Sequence, residues 1–402
     1  MFKDYFSDKI INNGRQLEVD MVKAYAVIFM ILEHTLIYLG DSESIALEIC
    51  GYLDVIIGAA AFMICMGMTF NYTKHNDYRS ILLRGVELLT LGQLLNIFRN
   101  GLPSLIFYFL SGKKILLSNV LLVLQADIYS FAGVAMIFFA ILIYFKVSPL
   151  GILVIGFIMN AVNYMIFLSG FNPENYLVSQ FLGYFVTTRS ESYFSLAAYF
   201  VFVAFGYWFG GYYLKIKDKD GFFNRFLMIF LPIYVVYYII RVFCKVPFLD
   251  PISADSSYIV SFGPDAIANC ISFILVMGIF YKISKICSKK VEGLITHISV
   301  HIAEYYCISY IIIYPIYLYL LAFKDDFAAP AGVAFIFGIG VLFLSYYIIQ
   351  LNSKKYNIHF YKLKGRKKAY IYGVIWLTTF ILVAYSYPQL NEYVNTWNDY
   401  LE

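Results

Sequence analysis

Two ionisable side chains lie within the first strongly apolar stretch of the sequence: Lys23 near its start and His34 deep inside it. Their separation along an α-helix would be roughly 16 Å, and three helical turns cover about the same distance. Both side chains would therefore lie on nearly the same face of one helix. An imidazole at that depth is suited to act as a general base. The alternatives are a histidine that hydrogen-bonds between helices for packing and a lysine that extends to the membrane surface.

Further basic residues follow at the start of the third apolar stretch. Arg79 precedes it and Arg84 lies within it, where an unpaired guanidinium would be costly. Arginine binds phosphate groups through two parallel hydrogen bonds, so these residues are candidates for an anion site. The alternative for Arg84 is an ion pair with Glu87, one helical turn further on.

Two acidic residues, Asp54 and Asp127, lie inside apolar sequence. A carboxylate that holds an imidazole in one tautomer is a recurrent catalytic arrangement. Either residue could therefore orient His34, or contact a second substrate, and the sequence does not choose between them.

A row of possible metal ligands, His297, His301 and Glu304, has the spacing of one helical face. Three ligands on one face could bind zinc. The row lacks the His-Glu-x-x-His order, however, and one helix rarely completes a metal site. We therefore expect no metal and assign these residues to packing or substrate contact.

The composition requires a membrane environment for these residues. Of the 402 residues 61% are hydrophobic and only 14% are charged, and the mean hydropathy is +0.71. A soluble domain could not cover its surface with so few polar groups. We predict an all-α polytopic membrane protein with about 11 transmembrane helices in a single domain, residues 1–402. The predicted spans are 21–40, 51–71, 80–98, 120–145, 149–168, 193–214, 226–244, 265–284, 298–322, 328–350 and 369–387.

The distribution of lysine and arginine predicts the orientation of the chain. With the N-terminus in the cytoplasm, most of the 30 basic residues fall in cytoplasmic segments, while the outer segments are richer in acidic residues. The first 20 residues are polar and do not have the pattern of a cleaved signal peptide. We expect a multi-pass protein of the plasma membrane.

The pattern Arg15…Asp20…Lys23…His34 resembles the first membrane helix of the acyltransferase-3 family of membrane acyltransferases. Three later segments resemble the related heparan-alpha-glucosaminide acetyltransferase group: Asp54 with residues 61–67 (AFMICMG), residues 84–96 (RGVELLTLGQLLN) and residues 124–133 (LQADIYSFAG). The glucosaminide group tends to have asparagine at the position of His34, where the acyltransferase-3 pattern has histidine. The chain combines features of both groups.

The resemblance implies a membrane enzyme that uses acetyl-coenzyme A, or another acyl-coenzyme A, as its donor on the cytoplasmic side. The acyl group would pass to a hydroxyl or amine of a cell-envelope saccharide or glycolipid. His34 would then be the catalytic base, oriented by Asp54 or Asp127. The residues expected to hold coenzyme A are Arg15, Lys23, Arg79 and Arg84.

A different class of protein also fits part of the sequence. Membrane helices that carry Asp, Glu and His are typical of proton-coupled transporters. Transporters of this kind are often built from two related halves, and the sequence contains no matched pair of helices broken by glycine or proline. We keep transport as the alternative. We expect no nucleic-acid partner, and a homo-oligomer is left open.

Overall fold

The computed structural model describes residues 3–41, 43–73, 76–188, 193–244, 263–324, 327–356 and 365–390. Over these residues the regular structure is helical, and the only β-type pairings are two isolated bridges, Phe6–Ile216 and Gly40–Ala329. The predicted all-α class is therefore confirmed.

The described part of the chain contains fifteen α-helices. In order they are α1 (Leu17–Leu39), α2 (Ile45–Thr69), α3 (Tyr78–Asn96), α4 (Leu102–Ser111), α5 (Ile115–Leu121), α6 (Ile128–Tyr144), α7 (Pro149–Leu168), α8 (Tyr176–Gly183), α9 (Leu196–Tyr213), α10 (Lys219–Cys244), α11 (Gly263–Ser284), α12 (Lys289–Val300), α13 (Ile302–Phe323), α14 (Ala331–Leu351) and α15 (Gly365–Ser386).

Nine helical stretches among the described residues are long and apolar enough to cross a membrane. They correspond to nine of the predicted spans, and the other two predicted spans coincide with α2 and α9. In α2 the backbone leaves the helical conformation at Gly58 (φ −41°, ψ −139°), and the piece Gly58–Thr69 is a shorter apolar helix. In α9, tyrosine and glycine residues lower the hydropathy. The chain is a multi-pass membrane protein.

The chain divides into two compact units. The first unit contains Met1–Met30, Cys50–Gly85 and Phe131–Ile302, and the second contains Ile31–Ile49, Val86–Ser130 and Ala303–Glu402. Helix α1 passes from the first unit into the second after Met30. Lys23 therefore belongs to the first unit and His34 to the second.

Helix α9 lies at the centre of the first unit and is buried along most of its length, because it is apolar on all sides. It packs closely against α2 at two glycines. A Cβ atom on Gly206 would lie 2.0 Å from the carbonyl oxygen of Ile64, and one on Gly67 would lie 2.0 Å from the carbonyl oxygen of Val203. Small residues of this kind let two membrane helices approach through their backbones.

We expect Gly206→Ala to lower the stability of the protein by about 1–3 kcal/mol, since the added methyl group meets a backbone atom that cannot move aside alone. The matched control is Gly211→Ala in the same helix, whose Cβ would make an ordinary contact 3.6 Å from Asn71 Oδ1. Thermal unfolding in detergent measures both variants. If Gly206→Ala and Gly211→Ala melted at the same temperature, the close approach of α2 and α9 would not require glycine at position 206.

The start of α1 is held by polar contacts within the first unit. Lys219 Nζ lies 2.5 Å from Glu18 Oε1, and the hydroxyl of Tyr213 also donates a hydrogen bond to Glu18. Ahead of the helix, Asn12 donates hydrogen bonds to the carbonyls of Tyr213 and Ile216 at 3.0 and 2.7 Å. These contacts fix the end of α1 that carries Lys23.

In the second unit, α3 continues into α4 through a π-helical segment, Ile97–Gly101. The helices pack around a core of Ile97, Val120, Val123, Ile375 and Leu382. Between the predicted third and fourth spans lie two helices, α4 and the start of α5, separated at Gly112, whose left-handed conformation (φ 72°) ends α4.

Two asparagines close the gap between α5 and α6. Asn96 Nδ2 donates to the carbonyls of Val123 and Gln125 at 3.3 and 3.1 Å, and Asn100 Nδ2 donates to the carbonyl of Leu122 at 3.1 Å. The carbonyls of Leu122 and Gln125 also accept hydrogen bonds from the backbone N–H groups of Gln125 and Asp127, at 3.0 and 3.1 Å. The asparagines therefore hold the segment that leads into Asp127 against the π-helical segment.

Candidate functional site

His34 lies in the part of α1 that belongs to the second unit. Its Nε2 atom is 3.2 Å from the hydroxyl of Tyr310, and the two rings are 4.8 Å apart. The side chain is partly exposed, but Nδ1 is enclosed and has no hydrogen-bond partner among the described residues. One ring nitrogen is thus held by a protein group, and the other is enclosed without a partner among the described residues.

Arg99 lies beside this pair, in the π-helical segment. Its side chain is 3% exposed, and its Nη2 atom donates to Gln125 Oε1 at 2.9 Å and lies 3.4 Å from Asp127 Oδ2. The guanidinium carbon is 4.6 Å from the centre of the Tyr310 ring, a distance at which a cation is attracted to an aromatic face. Arg99 therefore links the Asp127 carboxylate to the ring that contacts His34.

The two carboxylate oxygens of Asp127 make different contacts. Oδ1 accepts hydrogen bonds from the backbone N–H groups of Tyr129 and Ser130 at 3.1 and 3.0 Å, which caps the start of α6. Oδ2 faces Arg99. We predicted that Asp127 could orient His34, and the hydrogen bond that the structure describes at the His34 ring joins Nε2 to the Tyr310 hydroxyl instead.

Aromatic rings from α1 and α13 surround the imidazole. Tyr38 lies 6.1 Å from the His34 ring and 5.0 Å from the Tyr314 ring, and Tyr306 lies 4.8 Å from the Tyr310 ring. Tyr306, Tyr310 and Tyr314 recur every four residues, so they share one face of α13. This face gives the site an aromatic wall.

The predicted donor-binding residues lie in the first unit. Arg15 forms a two-bond ion pair with Asp20 at 2.5 and 2.9 Å, and Ser299 Oγ also donates to Asp20 at 2.5 Å. Lys23 is partly exposed on α1. Arg15 therefore holds the segment that precedes α1 against the first turn of that helix.

The remaining predicted residues lie in α2 and α3. Arg79 is exposed and its Nε donates to the hydroxyl of Tyr78 at 2.9 Å, and Arg84 is also exposed. Glu87, the expected partner of Arg84, has Lys368 Nζ 3.5 Å from its Oε1 atom. Asp54 lies within α2, but its side chain is outside the described part of the structure.

The row of possible metal ligands is not a continuous helical face. Helix α12 ends at Val300 and α13 begins at Ile302, with His301 at the break. Within the residues that the structure describes, no three His, Cys, Asp or Glu side chains come together as a metal site.

The first unit contains a cavity of about 680 Å³. Aromatic side chains of Phe70, Tyr207, Trp208 and Tyr212 line it, and Lys215 lies at its wall. Its size is within the range of small-molecule sites. Asn76 and Ile81, which flank Arg79 in the sequence, also line the cavity.

Arg99 and Tyr310 were not among the residues predicted from the sequence. Arg99 falls just outside the predicted third span, which ends at residue 98. The signal was present, since Arg99 and Asn100 interrupt an apolar run that continues in α4, and intramembrane charges are functional candidates. The partnership with His34 was not visible, because Tyr310 is 276 residues away in the sequence.

One family model matches the chain, that of the heparan-alpha-glucosaminide N-acetyltransferase catalytic domain, over residues 15–239. No curated protein and no solved structure matches the sequence. The matched residues are more than half of the chain, and they include His34, Arg99 and Asp127 but not Tyr310. The chain therefore belongs to the heparan-alpha-glucosaminide N-acetyltransferase catalytic family of transmembrane acetyltransferases.

Proposed function

We propose that the protein transfers an acetyl or other short acyl group from acyl-coenzyme A to a hydroxyl or amine of a cell-envelope saccharide or glycolipid. The observation that carries this proposal is the state of His34. One nitrogen of its ring is held by Tyr310 and the other has no partner among the described residues, within the region that the family model matches.

In this reaction the acceptor hydroxyl or amine gives its proton to His34 as its oxygen or nitrogen attacks the thioester carbonyl. The tetrahedral intermediate then collapses, the bond from carbon to sulfur breaks, and the leaving thiolate takes a proton from the imidazolium. The histidine ends in its starting state. A positioned general base of this kind contributes about 10²–10⁴-fold to the rate.

The donor is held, in this proposal, by the basic residues of the first unit at the cytoplasmic face. Lys23 and His34 are eleven residues apart in the sequence, which in an ideal helix corresponds to roughly 16 Å, comparable to the length of a pantetheine arm. Arg79 and Arg84 are exposed and suited to phosphate contact. Arg15 is engaged with Asp20, so we assign it a supporting part in the same anion site.

The aromatic cavity of the first unit suits the adenine ring of the donor. Trp208 and Tyr207 offer flat faces for stacking, and Lys215 provides positive charge for a phosphate. Asn76 and Ile81, which lie on either side of Arg79 in the sequence, both line this cavity. We therefore place the nucleotide of coenzyme A there.

The test is acetyl-coenzyme A binding and thiol release by the purified full-length protein in detergent, with glucosamine as acceptor probe. Each charge-assisted hydrogen bond contributes about 1.5–3 kcal/mol, so Lys23→Ala and Arg84→Ala are expected to weaken donor binding about 10- to 100-fold. Trp208→Ala should weaken it as well. The matched control is Lys289→Ala, whose side chain is 97% exposed.

Wild-type protein that neither binds acetyl-coenzyme A nor releases thiol would refute the proposal. Uptake of a solute into sealed vesicles without any acyl donor would instead favour the transporter class. Donor binding that is unchanged in all three variants, with activity retained, would remove the assignment of these residues but not the reaction.

A further inference from the structure

We infer that Tyr310 and Arg99 are positioning residues for His34: Tyr310 sets the tautomer of the imidazole, and Arg99 fixes the Tyr310 ring. The catalytic consequence of this inference rests on the proposed function. The tautomer of His34 and its contacts with Tyr310 and Arg99 do not depend on that function, since these three residues all lie in the second unit.

The hydrogen bond at Nε2 can be made in two ways. Either Nε2–H donates to the Tyr310 oxygen and Nδ1 keeps its lone pair, or the Tyr310 hydroxyl donates to Nε2 and Nδ1 carries the proton. In the second case a buried N–H would have no acceptor among the described residues. Buried N–H groups without a partner are rarer than buried acceptors without one. The arrangement therefore favours the Nε2–H tautomer, with Nδ1 as the base.

The chemistry of Tyr310 is compatible with this direction. Its ring packs 4.8 Å from the Tyr306 ring on the same face of α13. The Tyr310 oxygen can accept the proton of His34 Nε2 and still has its own O–H to donate. A hydroxyl group uses its donor and its acceptor at the same time in this way.

Arg99 keeps Tyr310 in place from the other side. Its guanidinium lies over the Tyr310 ring at 4.6 Å and is itself held by Gln125 and Asp127. The backbone carbonyl of Gln125 is in turn held by Asn96. The ring of Tyr310 is therefore fixed by a chain of contacts that begins in the backbone between α5 and α6.

The backbone around Arg99 departs from the α-helical hydrogen-bond pattern. The π-helical turn Ile97–Gly101 is an irregularity of a kind often found at functional sites. It includes Arg99 and Asn100, which are both buried. The segment thus supplies the Arg99 cation. It also supplies Asn100, which donates a hydrogen bond to the carbonyl of Leu122.

The direct test observes the tautomer without using activity. Protein with ¹⁵N-labelled histidine is reconstituted into liposomes, and solid-state NMR distinguishes protonated from unprotonated Nδ1 and Nε2. The His34→Gln variant identifies the His34 signals among the five histidines. We expect wild-type His34 to be the Nε2–H tautomer, and Tyr310→Phe to shift it to a mixture of both tautomers.

The Arg99 variants test the second half of the inference. Arg99→Gln should also give a mixed tautomer, whereas Arg99→Lys keeps a cation over the ring and should restore most of the wild-type population. The matched control is Tyr317→Phe, which removes a hydroxyl from a neighbouring ring whose described ring contacts are Tyr38 and Tyr314. It should leave the His34 signals unchanged.

The kinetic arm uses the same variants. Removing a group that orients a catalytic side chain typically costs 10–100-fold in activity. We expect Tyr310→Phe and Arg99→Gln to lower kcat by about this factor without changing KM for acetyl-coenzyme A, and Arg99→Lys to recover most of the loss. A purely structural role would instead lower the amount of folded protein and leave kcat per folded molecule unchanged.

The outcomes separate this inference from the proposed function. A wild-type Nδ1–H tautomer, or a Tyr310→Phe spectrum identical to wild type, would overturn the inference. A tautomer shift with kcat unchanged would support the effect of Tyr310 on the tautomer and overturn its catalytic consequence. If Tyr310→Phe does not fold, the comparison of Arg99→Gln with Arg99→Lys still decides.

Discussion

Replacement of His34 by alanine is expected to lower kcat for acetyl transfer by about 100- to 10,000-fold, the contribution of a positioned general base. The methyl group cannot accept the proton of the acceptor, and no other imidazole in the second unit's described residues can replace it, since His297 and His301 belong to the first unit. Acetyl transfer by purified, folded protein with saturating acetyl-coenzyme A measures the effect.

The control for His34→Ala is His297→Ala, which removes an imidazole that lies in α12, beside the His301 ring. This variant should retain wild-type kcat. Donor binding should be unchanged in His34→Ala, because the proposed phosphate contacts come from other residues. A folded His34→Ala variant with full acetyl transfer would end the assignment of His34 as the base.

Replacement of Asp127 by leucine is expected to destabilise the protein by about 3–5 kcal/mol, because it leaves the buried charge of Arg99 without its partner. Both side chains are almost completely buried, at 3% and 4% exposure. The loss of the cap on α6 contributes about another 0.5–2 kcal/mol. Thermal unfolding in detergent, followed by the fraction of monodisperse protein, measures the change.

The double variant Arg99→Leu/Asp127→Leu separates the two contributions. It loses the cap but leaves no unpaired charge, so we expect it to be more stable than Asp127→Leu alone. A matched exposed pair is available in Asp220 and Lys285, at 57% and 46% exposure. Asp220→Leu should cost at most about 1 kcal/mol, as surface ion pairs do. If Asp127→Leu proved as stable as the double variant, the ion pair would not contribute as described.

Helix limits could be predicted where local residues specify them. The predicted span 149–168 coincides with α7, Pro149–Leu168. Ser148 accepts a hydrogen bond from the Gly151 N–H as the N-cap, and proline at the first helical position needs no donor of its own. Gly170, in the left-handed conformation, follows the end of the helix. All of these signals lie within a few residues of the boundary.

Limits that depend on distant contacts could not be predicted in this way. The predicted span 298–322 is interrupted at His301, where hydropathy gives no signal, and the predicted third span continues through a π-helical segment into α4. Hydropathy averages over a window and does not detect a local change of hydrogen-bond pattern. Such changes depend on side chains that arrive from elsewhere in the chain.

The sequence by itself determined that this protein is an all-α membrane protein, that an ionisable imidazole lies deep in its first helix, and that it resembles membrane acyltransferases. These conclusions follow from composition, spacing along one helix and short motifs, which are local properties. Only the tertiary structure decided that the partner of His34 is Tyr310 and that Arg99 pairs with Asp127 beside it. The physical reason is that a buried polar group requires a partner, but its chemistry does not specify which distant helix supplies that partner.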